Sequence, residues 1–297
     1  MPFNPILYPA AFLEPISVSS TSAWKQHIPF AFTLMECLRP ARFVELGVHA
    51  GDSYCAFCQA REHLNIATEC FGVDTWKGDP QVGFYPTAVL ADLKSHHDPR
   101  YAAFSKLLEM TFDQALPQFE DGSIDLLHID GLHTYEAVRH DFETWLPKMS
   151  NRGIVLFHDT AVRQADVGVH RLWDELTPKH PHFQFEHGMG LGVLGVGTEI
   201  PEGILPLFQS TPAEAASIRN CYFRLGRDIS VRSYYAGVMR GIFHGQSLIN
   251  QWKQQTGQTI NPQSQNLQLA IGNPGFFVQN LVAEIQAMAS SELNRRK

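Results

Sequence analysis

Basic charge is what this sequence is short of. Across 297 residues, 23 Lys and Arg stand against 30 Asp and Glu, a formal net charge of −7. That balance gives no positive field to track a phosphate backbone or an anionic lipid surface, so neither nucleic acid nor a membrane is an expected partner. The first residues, MPFNPILYPAAFLEP, lack both a basic start and a long apolar stretch. They are broken by proline and read as neither a signal peptide nor an anchor, which makes the cytoplasm the expected location. Cysteine is scarce as well: five, odd in number and widely spaced, in a chain large enough to fold without disulfide staples. Cys55 and Cys58 have C-x-x-C spacing, but no second pair follows. On a helix they read as small buried hydrophobes, with a redox or zinc role as the alternative.

What is present is apolar and ordered. At 44% hydrophobic residues the chain can bury a full core, and its length suggests one large domain, or one with an appendage. Strand-like runs at 42–48, 68–74, 107–110, 123–130 and 153–159 alternate with helical patterns at 53–64, 112–119 and 134–149. After a helix near 169–176 come HFQFEHG and LGVLGVG, two short strands around a glycine-rich turn. The expected fold is α/β: a Rossmann-like, doubly wound, mainly parallel sheet with an antiparallel C-terminal edge pair. Residues 212–252 and 275–296 look helical, the second with Phe277, Leu281, Ile285 and Met288 on one stripe, and a Gln/Asn-rich segment separates them. The chain divides into an N-terminal extension (1–40), a domain (41–200) and a helical C-terminal appendage (201–297) whose stripe suits core packing, a homodimer contact or partner docking.

A glycine loop, VELGVHAGDSY, follows the first strand. Glycines there let the backbone turn sharply at the carboxyl edge of the sheet, where open α/β folds bind ligands. A dinucleotide fingerprint needs G-x-G-x-x-G, and His49 holds the middle position, leaving Gly47 and Gly51. Glu45, two residues before Gly47, would repel a pyrophosphate but can orient an ammonium group. Some twenty residues on, Asp74 ends the second strand, where an acid accepts hydrogen bonds from ribose hydroxyls. A nucleoside joined to an amino acid without phosphate points to S-adenosylmethionine.

These residues carry a family resemblance. ELGVHAGDS resembles motif I of class I S-adenosylmethionine-dependent methyltransferases, and GVDTW looks like their ribose-binding strand end, over residues 40–197. The resemblance implies cofactor contacts from Glu45, Gly47, Gly51, Ser53 and Asp74, with Thr111 beside the adenine in the loop after the third strand. Asp113 in the same loop has helix capping as an equal alternative.

Asp130 and Asp159 end the fourth and fifth strands, and two carboxylates at one sheet edge repel unless a cation or proton lies between them. A divalent metal, Mg²⁺ or Mn²⁺, is the natural reading. His133, three residues beyond Asp130, titrates near neutrality and suits a general base. The spacing resembles metal-dependent O-methyltransferases of the catechol type and, with histidine at that place, sugar O-methyltransferases of macrolide biosynthesis. DGLHTYEAVRHD followed by GIVLFHDT is similar to a methyltransferase family associated with glycan and natural-product tailoring. One departure stands out: where the macrolide enzymes end the fifth strand in two acids, this chain has His158-Asp159. An imidazole ligand would favour Mn²⁺ or Fe²⁺, or His158 would only hydrogen-bond a ligand.

The expected function is therefore S-adenosylmethionine-dependent O-methylation of a hydroxylated small molecule or glycan. Asp130, His158 and Asp159 would hold the metal and His133 would act as base. The rival is a noncatalytic S-adenosylmethionine-binding scaffold that docks a partner such as a glycosyltransferase. Of the remaining histidines, His96 and His97 are expected in a polar loop, His140 and His170 on helices, and His187 near the sheet edge. Trp76, Phe84 and Tyr85 are candidates for a lid over the site.

Overall fold

The computed structural model describes residues 2–256 apart from Ser20, Thr21, Pro80 and Val82, with side chains described as far as Met239. The Gln/Asn-rich segment and the helix expected at 275–296 lie outside the described residues. The chain forms two units, Met1–Ser230 and Val231–Lys297. In the first, short 3-10 turns lead into α1 (Ile28–Leu38), and then β1 (Arg42–Leu46), α2 (Asp52–Leu64) and β2 (Glu69–Asp74) follow. A small hairpin of β3 (Gly78–Asp79) and β4 (Gly83–Phe84) precedes α3 (Ala88–Tyr101), β5 (Ser105–Glu109) and α4 (Phe112–Ala115). Next come β6 (Ile124–Ile129), α5 (Tyr135–Trp145), β7 (Met149–His158) and α6 (Val169–Leu176). The hairpin β8 (His182–Phe185) and β9 (Leu191–Gly195) leads to α7 (Leu205–Phe208) and α8 (Pro212–Thr256). Among the described residues of the second unit only the continuation of α8 is seen, and it exposes Tyr234, Tyr235 and Met239.

Seven strands form one sheet in the order β5-β2-β1-β6-β7-β9-β8. The first five are parallel, and β9 runs antiparallel to both β7 and β8, as the glycine-rich turn implied. Alternation along β1 and β6 divides the core. Phe43 and Leu126 pack with α1 and α2 on one face; Val44, Leu46, Leu127 and Ile129 pack with α5 and α6 on the other. Burial on both faces is why these strands read as nearly unbroken apolar runs. The exceptions are Glu45 and His128, register partners that are wholly buried on the α1/α2 face.

The sequence divisions at 40 and 200 are not edges of packing. Phe30 and Phe32 of α1, Ile204, Leu207, and Ile218 and Tyr222 of α8 belong to the same core as the sheet, and the Tyr222 hydroxyl donates to Thr33 Oγ1 at 2.9 Å. His96 and His97, expected in a polar loop, lie on helix α3. His97 on it is buried between Ser105 and Asp98, so its role is structural. The C-x-x-C pair lies on α2 with both thiols buried and free, and burial pushes both well up from the ordinary thiol range.

Candidate active site

Because β1, β2, β5, β6 and β7 are parallel, their carboxyl ends share one edge, and the loops leaving them enclose a cleft of about 480 Å³. Gly47, Gly51, Ser53, Asp74 and Thr111 line it together with Asp130, His133, His158 and Asp159. Of the residues read from sequence as cofactor contacts, metal ligands or base, only Glu45 lies behind the wall: it is 0% exposed. Its carboxylate accepts from Ser53 Oγ at 2.7 Å and from His128 Nδ1 at 3.0 Å. Contact with a ligand ammonium would pass through Ser53.

The glycine loop is built on left-handed backbone, with Gly47 at φ +90°, His49 at +49° and Gly51 at +81°. Gly47 is required by packing as well as by φ, because a Cβ there would stand 2.0 Å from the carbonyl oxygen of Asp130. Asp74 fastens the loop: its Oδ2 accepts from the backbone N–H groups of Val48 and His49, each at 2.9 Å. Those amides are the ones a pyrophosphate would need, and they are already engaged. Trp76 Nε1 donates to the His49 carbonyl at 2.9 Å, and the Tyr85 ring lies 4.5 Å from the His49 ring, centroid to centroid. Of the lid candidates, Trp76 is thus packed beneath the loop, Tyr85 borders the cleft and Phe84 stands in solvent. Thr111 begins α4 in a capping box with Gln114, which directs its hydroxyl to the Gln114 N–H. Asp113 does not cap that helix; its carboxylate pairs with His140 at 2.9 Å.

In the same cleft Asp130 and Asp159 meet two imidazoles. His133 Nε2 is 2.9 Å from Asp159 Oδ2, and His158 Nδ1 lies 3.3 Å from Asp130 Oδ1 and 3.2 Å from Asp159 Oδ2. Asp159 holds φ +63°, a left-handed conformation that a non-glycine residue adopts at a cost. Burial alone would raise both carboxyls, but the imidazoles outweigh it and hold both below the ordinary carboxylate range. The effect is reciprocal. Burial opposes the charged form of His133, yet hydrogen bonds to Asp130 and Asp159 hold it up to about 10. Asp130, His133 and Asp159 can bring one donor atom each within 4.8 Å of one another, a set able to hold a metal ion. His158 fits a ligand in another way: Nε2–H donates to the Gly188 carbonyl at 3.0 Å, which aims Nδ1 at the carboxylates as ligating imidazoles are aimed. His187 lies behind this group, stacked on His27 with centroids 5.0 Å apart.

The sequence did not show that the N-terminal segment walls the cleft. Ser19, Ser22, Ala23 and Trp24 all line it, and Ser19 donates to Asp52 through both its N–H and its Oγ, each at 2.6 Å. Trp24 Nε1 donates to His128 Nε2 at 3.2 Å across a separation of 104 residues. No local periodicity carries such a contact. The hairpin residue Gln81 was likewise unmarked, yet its Oε1 accepts from the His133 N–H at 3.0 Å.

Residues 44–160 match a protein family described as a methyltransferase domain. The matched stretch is similar to a methyltransferase domain. It opens in β1 and closes just past Asp159, so it contains every strand end that borders the cleft. The chain is 44% identical over 237 residues to the uncharacterized protein y4gI of Sinorhizobium fredii (strain NBRC 101917 / NGR234). That alignment covers 79% of this chain and 26% of y4gI, so the chain spans about a quarter of its relative's length. Among solved structures, the methyltransferase PaMTH1 of Podospora anserina, with SAH bound, overlaps 57% of this chain and 77% of its own at 16% identity and a TM-score of 0.43. The O-methyltransferase TomG of Streptomyces achromogenes, in complex with SAM, overlaps 66% of this chain and 97% of its own at 14% identity and a TM-score of 0.45. Likeness at this level transfers neither a substrate nor a residue role to this chain. No described helix is long and apolar enough to cross a membrane.

Proposed function

We propose that this chain moves a methyl group from S-adenosylmethionine to a hydroxyl oxygen of a small molecule or glycan, assisted by a divalent cation. The observation that carries this reading is the single cleft that joins the glycine loop to the Asp130/Asp159 pair. Asp74 engages the loop amides that a phosphate would otherwise use, which favours a nucleoside ligand without phosphate. A cleft of about 480 Å³ is within the range of small-molecule sites.

In this reading Gly47, Gly51 and Asp74 shape the nucleoside side, Ser53 meets the amino-acid end, and Thr111 borders the base. Asp130, Asp159 and His158 would hold the cation. Their mixed oxygen and nitrogen donors suit Mn²⁺ or Fe²⁺ at least as well as Mg²⁺. A bound cation would supply Lewis acidity toward the acceptor hydroxyl and the positive charge that His133 otherwise gives to the carboxylates. His133 would take the hydroxyl proton on Nε2 as the new O–C bond forms and the C–S bond breaks. Holding the acceptor in line accounts for most of the acceleration, on the order of 7–11 kcal/mol at best.

The test is a calorimetric titration with S-adenosylhomocysteine, with and without Mn²⁺ or Mg²⁺, followed by a mass-shift screen of hydroxylated acceptors. A gain of 14 Da on an acceptor supports the reading. No affinity for S-adenosylhomocysteine under any metal condition ends it.

A further inference from the structure

Behind the glycine loop runs a chain of hydrogen bonds in which each member sets the direction of the next. The indole N–H of Trp24 can only donate, and its partner at 3.2 Å is His128 Nε2. That nitrogen must therefore carry its lone pair, which leaves the ring proton on Nδ1, donated to Glu45 Oε2 at 3.0 Å. Glu45 Oε1 takes the hydroxyl proton of Ser53 at 2.7 Å. Trp24, His128, Glu45 and Ser53 are each no more than 5% exposed, so water does not scramble the sequence of donors. Trp24 and Ser53 line the cleft, whereas Glu45 and His128 do not.

With its proton committed to Glu45, Ser53 Oγ has only lone pairs left to offer the cleft. A group that donates hydrogen bonds and carries positive charge fits there; a carboxylate or phosphate does not. The segment bearing Trp24 is tied to the same helix end at a second place, through Ser19 and Asp52, the residue beside Ser53.

We propose that Trp24 is a positioning residue. Through His128 and Glu45 it fixes the Ser53 hydroxyl as an acceptor for the ammonium group of the cofactor's amino-acid end. The inference rests on the S-adenosylmethionine reading and deepens it: a segment outside the matched residues 44–160 decides the polarity of a subsite inside them. Replacing the indole with a ring that cannot donate leaves His128 free to take its other tautomer. Glu45 then loses a fixed donor, and Ser53 is no longer held as an acceptor.

The experiment compares two probes by calorimetry: S-adenosylhomocysteine, and 5′-methylthioadenosine, which keeps the nucleoside and thioether but lacks the amino acid. In Trp24→Phe, affinity for S-adenosylhomocysteine should fall about tenfold while affinity for methylthioadenosine stays within about twofold, which also shows that the variant is folded. Ser53→Ala should give the same selective loss, and the double variant should be no worse than Ser53→Ala alone. Equal loss of both probes in Trp24→Phe, or loss of neither, overturns the proposal, as does additivity in the double variant. The relay has its own readout in the imidazole ¹⁵N shifts of His128 in the wild type: the Nδ1–H tautomer supports it and the Nε2–H tautomer overturns it. A wild type that binds neither probe refutes the S-adenosylmethionine reading and the ligand role of Ser53 together, while the tautomer still decides the relay.

Discussion

His133 Nε2 sits 2.9 Å from Asp159 Oδ2. The contact makes His133 a counter-charge to the carboxylates before it can be anything else, and a base must first shed that proton. His133→Ala should therefore lower methyl transfer by about 10²–10⁴-fold in the presence of Mn²⁺. Affinity for S-adenosylhomocysteine should be nearly unchanged. Single-turnover rates alongside calorimetry check both halves.

The same contact has a signature in stability. The carboxylates raise His133 from 6.5 to about 10 in the folded chain, so its favourable contribution is complete below pH 6.5 and is lost as pH rises through 10. Measured in chelator, His133→Ala should be less stable than wild type by roughly 1–3 kcal/mol at pH 6. The gap should close by pH 10.5. Urea unfolding at several pH values is the measurement, and a gap that widens toward alkaline pH contradicts the assignment.

Metal removal separates cation from scaffold. Chelation should reduce turnover at least tenfold, and added Mn²⁺ should restore it in wild type but not in Asp159→Asn or Asp130→Asn. Turnover that is indifferent to chelator would leave the carboxylate pair with only the imidazoles as partners.

Two glycines with similar backbone angles should respond very differently to alanine. Gly47 (φ +90°) would place Cβ against the Asp130 carbonyl, whereas Gly122 (φ +70°) has nothing within 4 Å. Gly122→Ala should cost about 1 kcal/mol, the conformational penalty alone. Gly47→Ala should cost at least about 3 kcal/mol, or shift the β6 loop and abolish ligand binding. Denaturant midpoints compare them directly.

Asp141 on α5 is pushed up to about 7, mainly by burial. A carboxyl raised in the folded chain stabilises it fully below pH 4 and loses that contribution as pH climbs through 7. Asp141→Asn should accordingly be more stable than wild type by roughly 1–3 kcal/mol at pH 8, with the difference vanishing near pH 4. Thermal unfolding at the two pH values decides it.

The sheet was legible because burial on both faces writes itself as apolar runs: Phe43 to Leu46 and Ile124 to Ile129 alternate between two cores without a solvent face. The strand-end residues followed from topology, since parallel strands in one sheet must share a carboxyl edge. Glu45 was read as a ligand contact because sequence gives its position on the strand but not its partners, Ser53 and His128. Trp24 and Gln81 were unreadable for a related reason: a hydrogen bond across 104 or 52 residues leaves no local period. Helix α3 escaped because it is mostly exposed and lacks an apolar stripe, and only Leu93, His97 and Tyr101 are buried.

The carbonyl of Gly188 receives the Nε2–H groups of both His27 and His158, at 3.1 and 3.0 Å. The turn between the last two strands is therefore a cross-brace that ties the N-terminal segment to the end of β7. Tips of edge hairpins usually tolerate inserted residues. Here a single inserted residue would let the His158 ring swing, and damage at the rim of the sheet would be felt at its chemical centre.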